Sequence, residues 1–276
     1  MSKNLLLLFV FLFTISDLFS QQLPIPPRLN SALSGTDFSK FVEFLPLDER
    51  ENLIFSNILS GNMPDFLRTF SEITIQEDSL EIRYFALPDY LAIGSNDDFI
   101  TIPMSPILAQ KLADSLNCVL PTKKMVDLIY KVAKFKLRPQ PIPPSAEMTN
   151  YSIFIQHNDS IAAQKKSFFA SNQASELIAG SKKDIIISNK IRTSLKSNVQ
   201  HPVVIYGWHR LNGSAIQPVY NGHHNLYADY SHATRLVLKI MYINNKPINY
   251  STVLKDSVLS KLISDEGVIE FSKYDY

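Results

Sequence analysis

The chain has 276 residues, a formal net charge of +1 and a single cysteine. Its charge balance, without a basic tail or an acidic block, argues against a nucleic-acid partner, because phosphate binding needs clustered Lys and Arg. The length suits one large domain or two small ones, and a hydrophobic content of 45% is enough for a core. We find no dinucleotide glycine fingerprint and no P-loop, so no nucleotide cofactor is expected.

The N-terminus has the layout of a secretory signal peptide. Lys3 precedes an apolar run from Leu5 to Ile15, and small and polar residues follow. A helix of that run spans about 16 Å, roughly half of a hydrocarbon core. We predict that residues 1–20 are a cleaved signal peptide and that the protein is exported, to the periplasm or outside the cell. No stable membrane span is expected after cleavage; an uncleaved anchor is the alternative.

The first half of the remaining chain predicts an arm, a helix and a set of strands. Residues 21–35 carry three prolines without periodicity and are expected to be extended. Apolar spacing predicts a helix between Asp48 and Gly61. Alternating apolar and polar residues over 71–104 predict a three- or four-stranded antiparallel meander.

Two helices and a proline-rich segment follow. Ser105, with proline next to it, and Thr122 are the predicted N-caps of the two helices. Residues 138–148 carry four closely spaced prolines and predict a stiff extended crossover. The segment that comes next, up to Phe169, is ambiguous and is expected to be part strand and part helix.

The last third predicts mostly antiparallel sheet. Asn212-Gly213 and Asn244-Asn245 each separate two apolar runs, as hairpin turns do. The fold class is therefore predicted to be α+β: a sheet-rich single domain over residues 36–276, with two or three central helices.

Histidines concentrate in one short segment of this sheet. Four of the six histidines and the only tryptophan lie within residues 206–232, and they are His209, His223, His224, His232 and Trp208. Strict alternation places His209 on the same strand face as Ile205 and Gly207. If neighbouring strands pair, His209, a loop histidine, Asp229 and His232 converge at one sheet edge, where sites are often built.

Two chemistries fit this predicted cluster. His209, His224, Asp229 and His232 could hold zinc or another divalent metal, with an open position that activates water. Alternatively, His209 and His232 act as general acid and base while Asp229 orients one ring. Histidines bonded only to backbone or water are the structural alternative.

The leading functional hypothesis is an exported hydrolase that acts on an extracellular or cell-envelope polymer, either peptide or glycan. Trp208, Lys183, Tyr230 and Arg235 are its candidate substrate-binding residues. The alternative is a non-catalytic exported protein that binds glycan or envelope material through Trp208 and the nearby tyrosines, with incidental histidines.

The lone thiol supports a third hypothesis. Cys118 precedes a capped helix, and His232 leads into a strand far downstream. This order is similar to that of papain-like peptidases and amidases, and the resemblance extends to order only. It implies a cysteine nucleophile with His232 as its base. Val119, Leu120 and Pro121 separate Cys118 from Thr122, and its apolar neighbours favour a buried structural thiol.

Overall fold

The computed structural model describes residues 21–170 and 176–276, and the predicted signal peptide lies outside them. Its α-helices are α1 Gly35–Val42, α2 Leu47–Leu59, α3 Pro106–Ser115, α4 Lys123–Val132, α5 Tyr151–Ala170, α6 Tyr250–Lys255 and α7 Ser260–Ile263. Its strands are β1 Ser71–Glu77, β2 Leu80–Ala86, β3 Ala92–Gly94, β4 Phe99–Thr101, β5 Cys118–Val119, β6 Phe135–Lys136, β7 Ile178–Ala179, β8 Lys183–Ile185, β9 Pro202–His209, β10 Ala215–His224, β11 His232–Ala233, β12 Val237–Leu238, β13 Ile240–Ile243 and β14 Lys246–Asn249. This mixture confirms the predicted α+β class.

The helices begin where capping chemistry allows. Ser105 Oγ accepts a hydrogen bond from Leu108 N at the start of α3, and Thr122 Oγ1 accepts one from Met125 N at the start of α4. Both predicted N-caps are confirmed, because each hydroxyl satisfies an amide that has no partner within the helix. The ambiguous segment after the crossover is the long helix α5.

The larger sheet assembles around β2. Along one edge β2 pairs with β1, and along the other it pairs with β13 and β12, while β12 also pairs with β5. The β13–β14 hairpin turns through Asn244 and Asn245 at φ 47° and 64°. These left-handed conformations match the type I′ turn that asparagine tolerates, so the predicted hairpin is confirmed.

The predicted meander is instead two separate hairpins. The β1–β2 pair belongs to the larger sheet, whereas β3 and β4 form a sheet of their own. Between them, the amides of Leu87 and Leu91 donate to the carbonyl oxygens of Leu236 and Thr234. Because this connection pairs with a segment distant in sequence, β3 is kept away from β2.

A second sheet carries the histidine-rich segment, in the strand order β10-β9-β8-β11. Strand β11 runs parallel to β8, and the other pairs are antiparallel. One hydrophobic cluster packs residues from both sides of the crossover at 138–148, including Ile82 and Ile205. Within residues 21–170 and 176–276, no helix has the length and apolarity needed to cross a bilayer.

Candidate functional site

Strand pairing brings His232 beside Lys183. The two residues are register partners on the parallel strands β11 and β8, and Lys183 is in turn the partner of Gly207 on β9. The residues that the sequence places nearly fifty positions apart therefore meet at adjacent strand ends. The lysine pair at the entrance of β8 is buried, with Lys183 8% exposed and Lys182 1% exposed.

Asp229 is the buried carboxylate of this site. Its Oδ1 accepts hydrogen bonds from Ser231 N, at 2.8 Å, and from Ser231 Oγ. Its Oδ2 lies 3.6 Å from Lys183 Nζ and 3.8 Å from His232 Nε2. Burial alone raises the pKa of Asp229, but three effects outweigh it and hold the pKa below its ordinary value: the charge of His232 when that ring is protonated, the charge of Lys183 and the Ser231 hydrogen bonds. The carboxylate is therefore ionised at neutral pH.

His232 is fully buried and neutral. Neither of its ring nitrogens makes a hydrogen bond to another described residue. Burial lowers the pKa of His232 to about 4, although the charge of Asp229 opposes this shift. An imidazole without a hydrogen-bond partner in the interior is uncommon and calls for an explanation.

His223 and Tyr227 join these groups on the more exposed side. Their rings stack nearly parallel at 3.9 Å between centroids, and the Tyr227 hydroxyl lies 3.5 Å from Asp229 Oδ2. The His232 ring centroid is 5.6 Å from that of Tyr227 and 6.4 Å from that of His223. We call Lys183, His223, Tyr227, Asp229 and His232 the Asp229 cluster.

Partial burial determines the protonation states of His223 and Tyr227. Desolvation lowers the pKa of His223 to about 4, with the Asp229 charge opposing. Burial and the Asp229 charge raise the pKa of Tyr227 to about 12. At neutral pH the cluster thus holds two neutral imidazoles, a protonated phenol and one carboxylate beside a lysine. His223 was not among the predicted site residues, although its position in the histidine-rich segment could have revealed it.

Trp208 forms an interior wall of the site. It is 4% exposed, and Lys183 Nζ lies 5.3 Å from the centroid of its ring. The rings of Tyr230 and His157 meet it edge-on, at 6.1 and 6.2 Å between centroids. A ring enclosed in this way cannot serve as an exposed stacking platform for a glycan.

The backbone at Gly207 and Trp208 departs from strand geometry. Their φ angles are 110° and 60°, in a region that residues other than glycine rarely adopt. A Cβ at position 207 would lie at ordinary contact distance from its neighbours, so it is the backbone angle that favours glycine here. Two such residues in succession shift the phase of the side chains that follow.

This phase shift moves His209 into a different cluster. His209 Nε2 lies 2.9 Å from Asp127 Oδ1, and the Tyr206 hydroxyl donates to the same oxygen at 2.7 Å. Tyr206 and His209 therefore share a side, and the predicted alternation, which separated them, is wrong beyond Gly207. Lys123 Nζ donates to Asp127 Oδ2 at 2.8 Å. Lys123, Asp127, Tyr206 and His209 are named the Asp127 cluster.

The predicted metal ligands are not brought together. His209 is bound to Asp127, and the exposed His224 points its Nδ1 at Leu226 N, from which it accepts a hydrogen bond at 3.1 Å. Only Asp229 and His232 of the predicted set are in contact. Across the residues that the structure describes, no three His, Cys, Asp or Glu side chains are grouped so that they could hold a metal ion.

Arg235 and Tyr230, predicted to bind substrate, stabilise the fold. Arg235 is 1% exposed, and its guanidinium donates to the carbonyl oxygens of Leu87 and Ile178, each at 2.7 Å. The Tyr230 hydroxyl accepts from Ile142 N at 2.8 Å and donates to Ile142 O at 3.1 Å. Tyr230 thus anchors the proline-rich crossover, and Arg235 fixes two backbone segments.

A charged interior network lies beneath the site. Lys182 Nζ donates to Tyr230 O at 2.6 Å, and Lys165 forms a buried ion pair with Asp89. Burial lowers the pKa of Lys182 to about 7, and the charge of Lys165 acts in the same direction. No sequence pattern predicts that these lysines are buried, since charged residues are mostly exposed.

Cys118 does not occupy the position expected of a papain-like nucleophile. It lies on β5, 2% exposed, and its Sγ donates to Leu116 O at 3.3 Å. Burial raises the pKa of this thiol, whereas a nucleophilic cysteine needs a lowered one. The helix that follows begins at Lys123, so Cys118 lies on a strand and not at a helix N-terminus.

A pocket opens beside the Asp229 cluster. It has a volume of about 520 Å³, and His224 and Tyr227 contribute to its lining together with residues of α2 and of the end of the crossover. Tyr227 therefore faces solvent-accessible space and also contacts the buried carboxylate.

No family model matches this chain, and no curated protein or solved structure matches it either.

Proposed function

We propose that this protein is a hydrolase whose reaction takes place at the Asp229 cluster. The observation that supports the proposal is the juxtaposition of a buried, ionised Asp229 with Lys183 and with the neutral imidazoles of His223 and His232. Groups whose surroundings push their pKa values apart are typical of acid–base sites.

His223 is the proposed general base, because it is neutral and only half-buried. It removes a proton from water, and the resulting hydroxide attacks the carbonyl carbon of the substrate. The ammonium of Lys183 stabilises the negative charge that develops on the carbonyl oxygen. Protonated His223 then donates its proton to the leaving group as the scissile bond breaks.

Asp229 and His232 are assigned to positioning. Both have less exposed surface, at 2% and 0%, than Lys183 at 8%, and they are not assigned a contact with substrate. Asp229 holds Lys183 by charge and contacts Tyr227, and His232 packs against Tyr227 and Asp229.

The proposed substrate bond is an ester or an amide rather than a glycoside. Glycoside hydrolases generally use a pair of carboxyl groups, and the Asp229 cluster contains one. The chemistry is assigned to imidazole because only two of the four predicted metal ligands, Asp229 and His232, are in contact with each other. With residues 1–20 as a signal peptide, the substrate would belong to an extracellular or cell-envelope polymer, and a peptide fits best.

The test is hydrolysis of p-nitrophenyl esters and fluorogenic peptides by the purified protein and by His223→Ala. We expect the substitution to lower kcat/KM by about 10²- to 10⁴-fold, the usual contribution of a general base. His201→Ala is the control, because His201 is exposed and lies outside the cluster. Wild-type turnover in His223→Ala, or no turnover of either substrate class by the native protein, contradicts the proposal.

The pH profile provides a second readout. Only neutral His223 can accept a proton, and its pKa is about 4. We therefore expect kcat/KM to stay level between pH 5 and pH 7 and to fall as the pH drops through about 4. A fall centred near the ordinary histidine pKa, about 6.5, would contradict the assignment of His223.

A further inference from the structure

Arg50 lines the pocket beside the Asp229 cluster, and no acidic side chain of the described residues forms an ion pair with it. Its guanidinium carbon lies 5.6 Å from the ring centroid of Tyr151 and 5.7 Å from that of Phe154. Among the described residues, none accepts a hydrogen bond from this guanidinium or forms an ion pair with it. Burial lowers the pKa of Arg50, with Tyr151 and Glu51 opposing, yet an arginine remains charged at neutral pH.

The adjacent acid is occupied elsewhere. Glu51 Oε1 accepts from Ser105 N at 2.7 Å, and Glu51 Oε2 accepts from Ser105 Oγ at 2.8 Å. Both carboxylate oxygens of Glu51 are therefore hydrogen-bonded to Ser105 at the start of α3. Arg50 is left as a half-buried cation that is held in place by two aromatic rings, and its hydrogen-bond donors are available to a ligand.

We propose that this pocket binds the C-terminal carboxylate of a peptide, with Arg50 as the anion-binding residue. The guanidinium fork matches a carboxylate with two parallel hydrogen bonds. Among the described residues that line the pocket, Arg50 is the only lysine or arginine, which suits a monoanion better than a phosphate dianion.

The apolar lining supports a peptide with a hydrophobic terminal residue. Leu47, Met148 and Leu226 line the pocket with Arg50. Leu47 and Leu226 also line an adjoining pocket of about 430 Å³, to which Ile107 and Leu108 contribute. Ser145 and Thr149 also line the Arg50 pocket, but an aliphatic side chain buries more apolar surface against these residues than a sugar acid does.

Tyr227 connects this ligand site with the proposed chemistry. It lines the Arg50 pocket, stacks on His223 and lies 3.5 Å from Asp229 Oδ2 through its hydroxyl. A carboxylate bound at Arg50 thus places the end of a peptide beside the Asp229 cluster. That the peptide is a substrate depends on the proposed function; that it binds at Arg50 does not.

The test is calorimetric titration of the full chain with N-acetyl-leucyl-leucine and with the same dipeptide as a C-terminal amide. We expect the acid to bind at least tenfold more tightly than the amide. Arg50→Met should abolish that difference. Arg83→Met is the matched control, because Arg83 also lies over an aromatic ring, that of Tyr242 at 4.8 Å, on the larger sheet. This control should keep the preference for the acid.

Each contrary result overturns a defined part of the proposal. If the unmodified protein binds the acid and the amide equally well, the pocket has no carboxylate-binding site, and no variant is needed to reach that conclusion. If Arg50→Met keeps the preference for the acid, Arg50 is not the anion-binding residue. If glucuronate binds more tightly than the dipeptide, the ligand is not a peptide. Binding as expected without turnover of any peptide leaves the pocket intact and contradicts only the proposed hydrolase.

Discussion

The protein contains two clusters with almost the same chemical composition. Each has one aspartate, one tyrosine and one lysine with histidine: His209 in the Asp127 cluster, and His223 and His232 in the Asp229 cluster. The Asp127 carboxylate accepts hydrogen bonds from Tyr206, His209 and Lys123, all within 2.9 Å. The contacts of Asp229 Oδ2 are instead 3.5 to 3.8 Å long.

Burial separates the clusters further. The Asp127 side chain is 35% exposed, whereas that of Asp229 is 2% exposed. In the Asp127 cluster each polar group already has a close partner, which is typical of a structural network. In the Asp229 cluster the imidazole of His232 has no hydrogen-bond partner among the described residues, and the carboxylate is enclosed in the interior. The two clusters share their residue types and differ in how much of their hydrogen-bonding capacity is used.

The largest expected difference between the clusters is catalytic. Lys183→Met should lower kcat/KM by about 10²- to 10³-fold, because an oxyanion-stabilising charge is lost. Lys123→Met in the Asp127 cluster is the matched substitution, and it should leave turnover within about threefold of the native protein. Steady-state kinetics with the best ester or peptide substrate measures both, and equal losses in the two variants would erase the distinction.

The next effect is the pH dependence of stability, to which His232 contributes together with His157 and His223, because burial lowers the pKa of all three. Its folded-state pKa is about 4, and that of an unfolded histidine is about 6.5. Between these values the unfolded chain binds a proton that the folded chain does not, so stability decreases as the pH falls. This residue should make the protein about 2 kcal/mol less stable at pH 5 than at pH 7.

Urea unfolding at pH 5 and pH 7 measures this loss, and His232→Leu is the informative variant. Leucine suits a buried site without hydrogen bonds and removes the titration. We expect the difference in unfolding free energy between the two pH values to shrink by the contribution of one histidine. A variant with an undiminished difference would show that His232 is not the titrating group.

A smaller effect on stability is expected from Asp127. Asp127→Ala removes the common acceptor of Tyr206, His209 and Lys123, but water can replace it at this half-exposed position. We expect a loss of about 1–2 kcal/mol in the free energy of unfolding, with turnover unchanged. Thermal and urea unfolding measure the loss. A tenfold decrease in turnover would instead place Asp127 in the catalytic machinery.

Several elements could be predicted because their determinants are local. The caps at Ser105 and Thr122 and the Asn244-Asn245 turn depend on side chains adjacent to the backbone they stabilise. The histidine-rich segment predicted the place of the candidate site for a similar reason. Asp229, Ser231 and His232 are close in sequence and contact one another locally.

The rest depends on tertiary structure. The observed position of His209 differs from the predicted one because Trp208 adopts a left-handed φ of 60°, which its side chain does not encode. Arg235 looked like a substrate ligand, yet it lies inside because two backbone carbonyl groups distant in sequence accept from it. Burial of Lys182 likewise depends on Tyr230 O, contributed from far along the chain.

The smallest expected effect concerns the stability contribution of Lys123. This lysine reaches Asp127 and Asp265 at 2.8 and 2.7 Å, but its side chain is 32% exposed. Ion pairs in such surroundings contribute about 1 kcal/mol or less, and salt screens them. Lys123→Met should therefore cost less than about 1 kcal/mol at low salt, and the difference from the native protein should narrow at 0.5 M NaCl, about three times physiological ionic strength. A loss that is larger and independent of salt would mean that the Asp127 cluster is as tightly coupled to the interior as the Asp229 cluster.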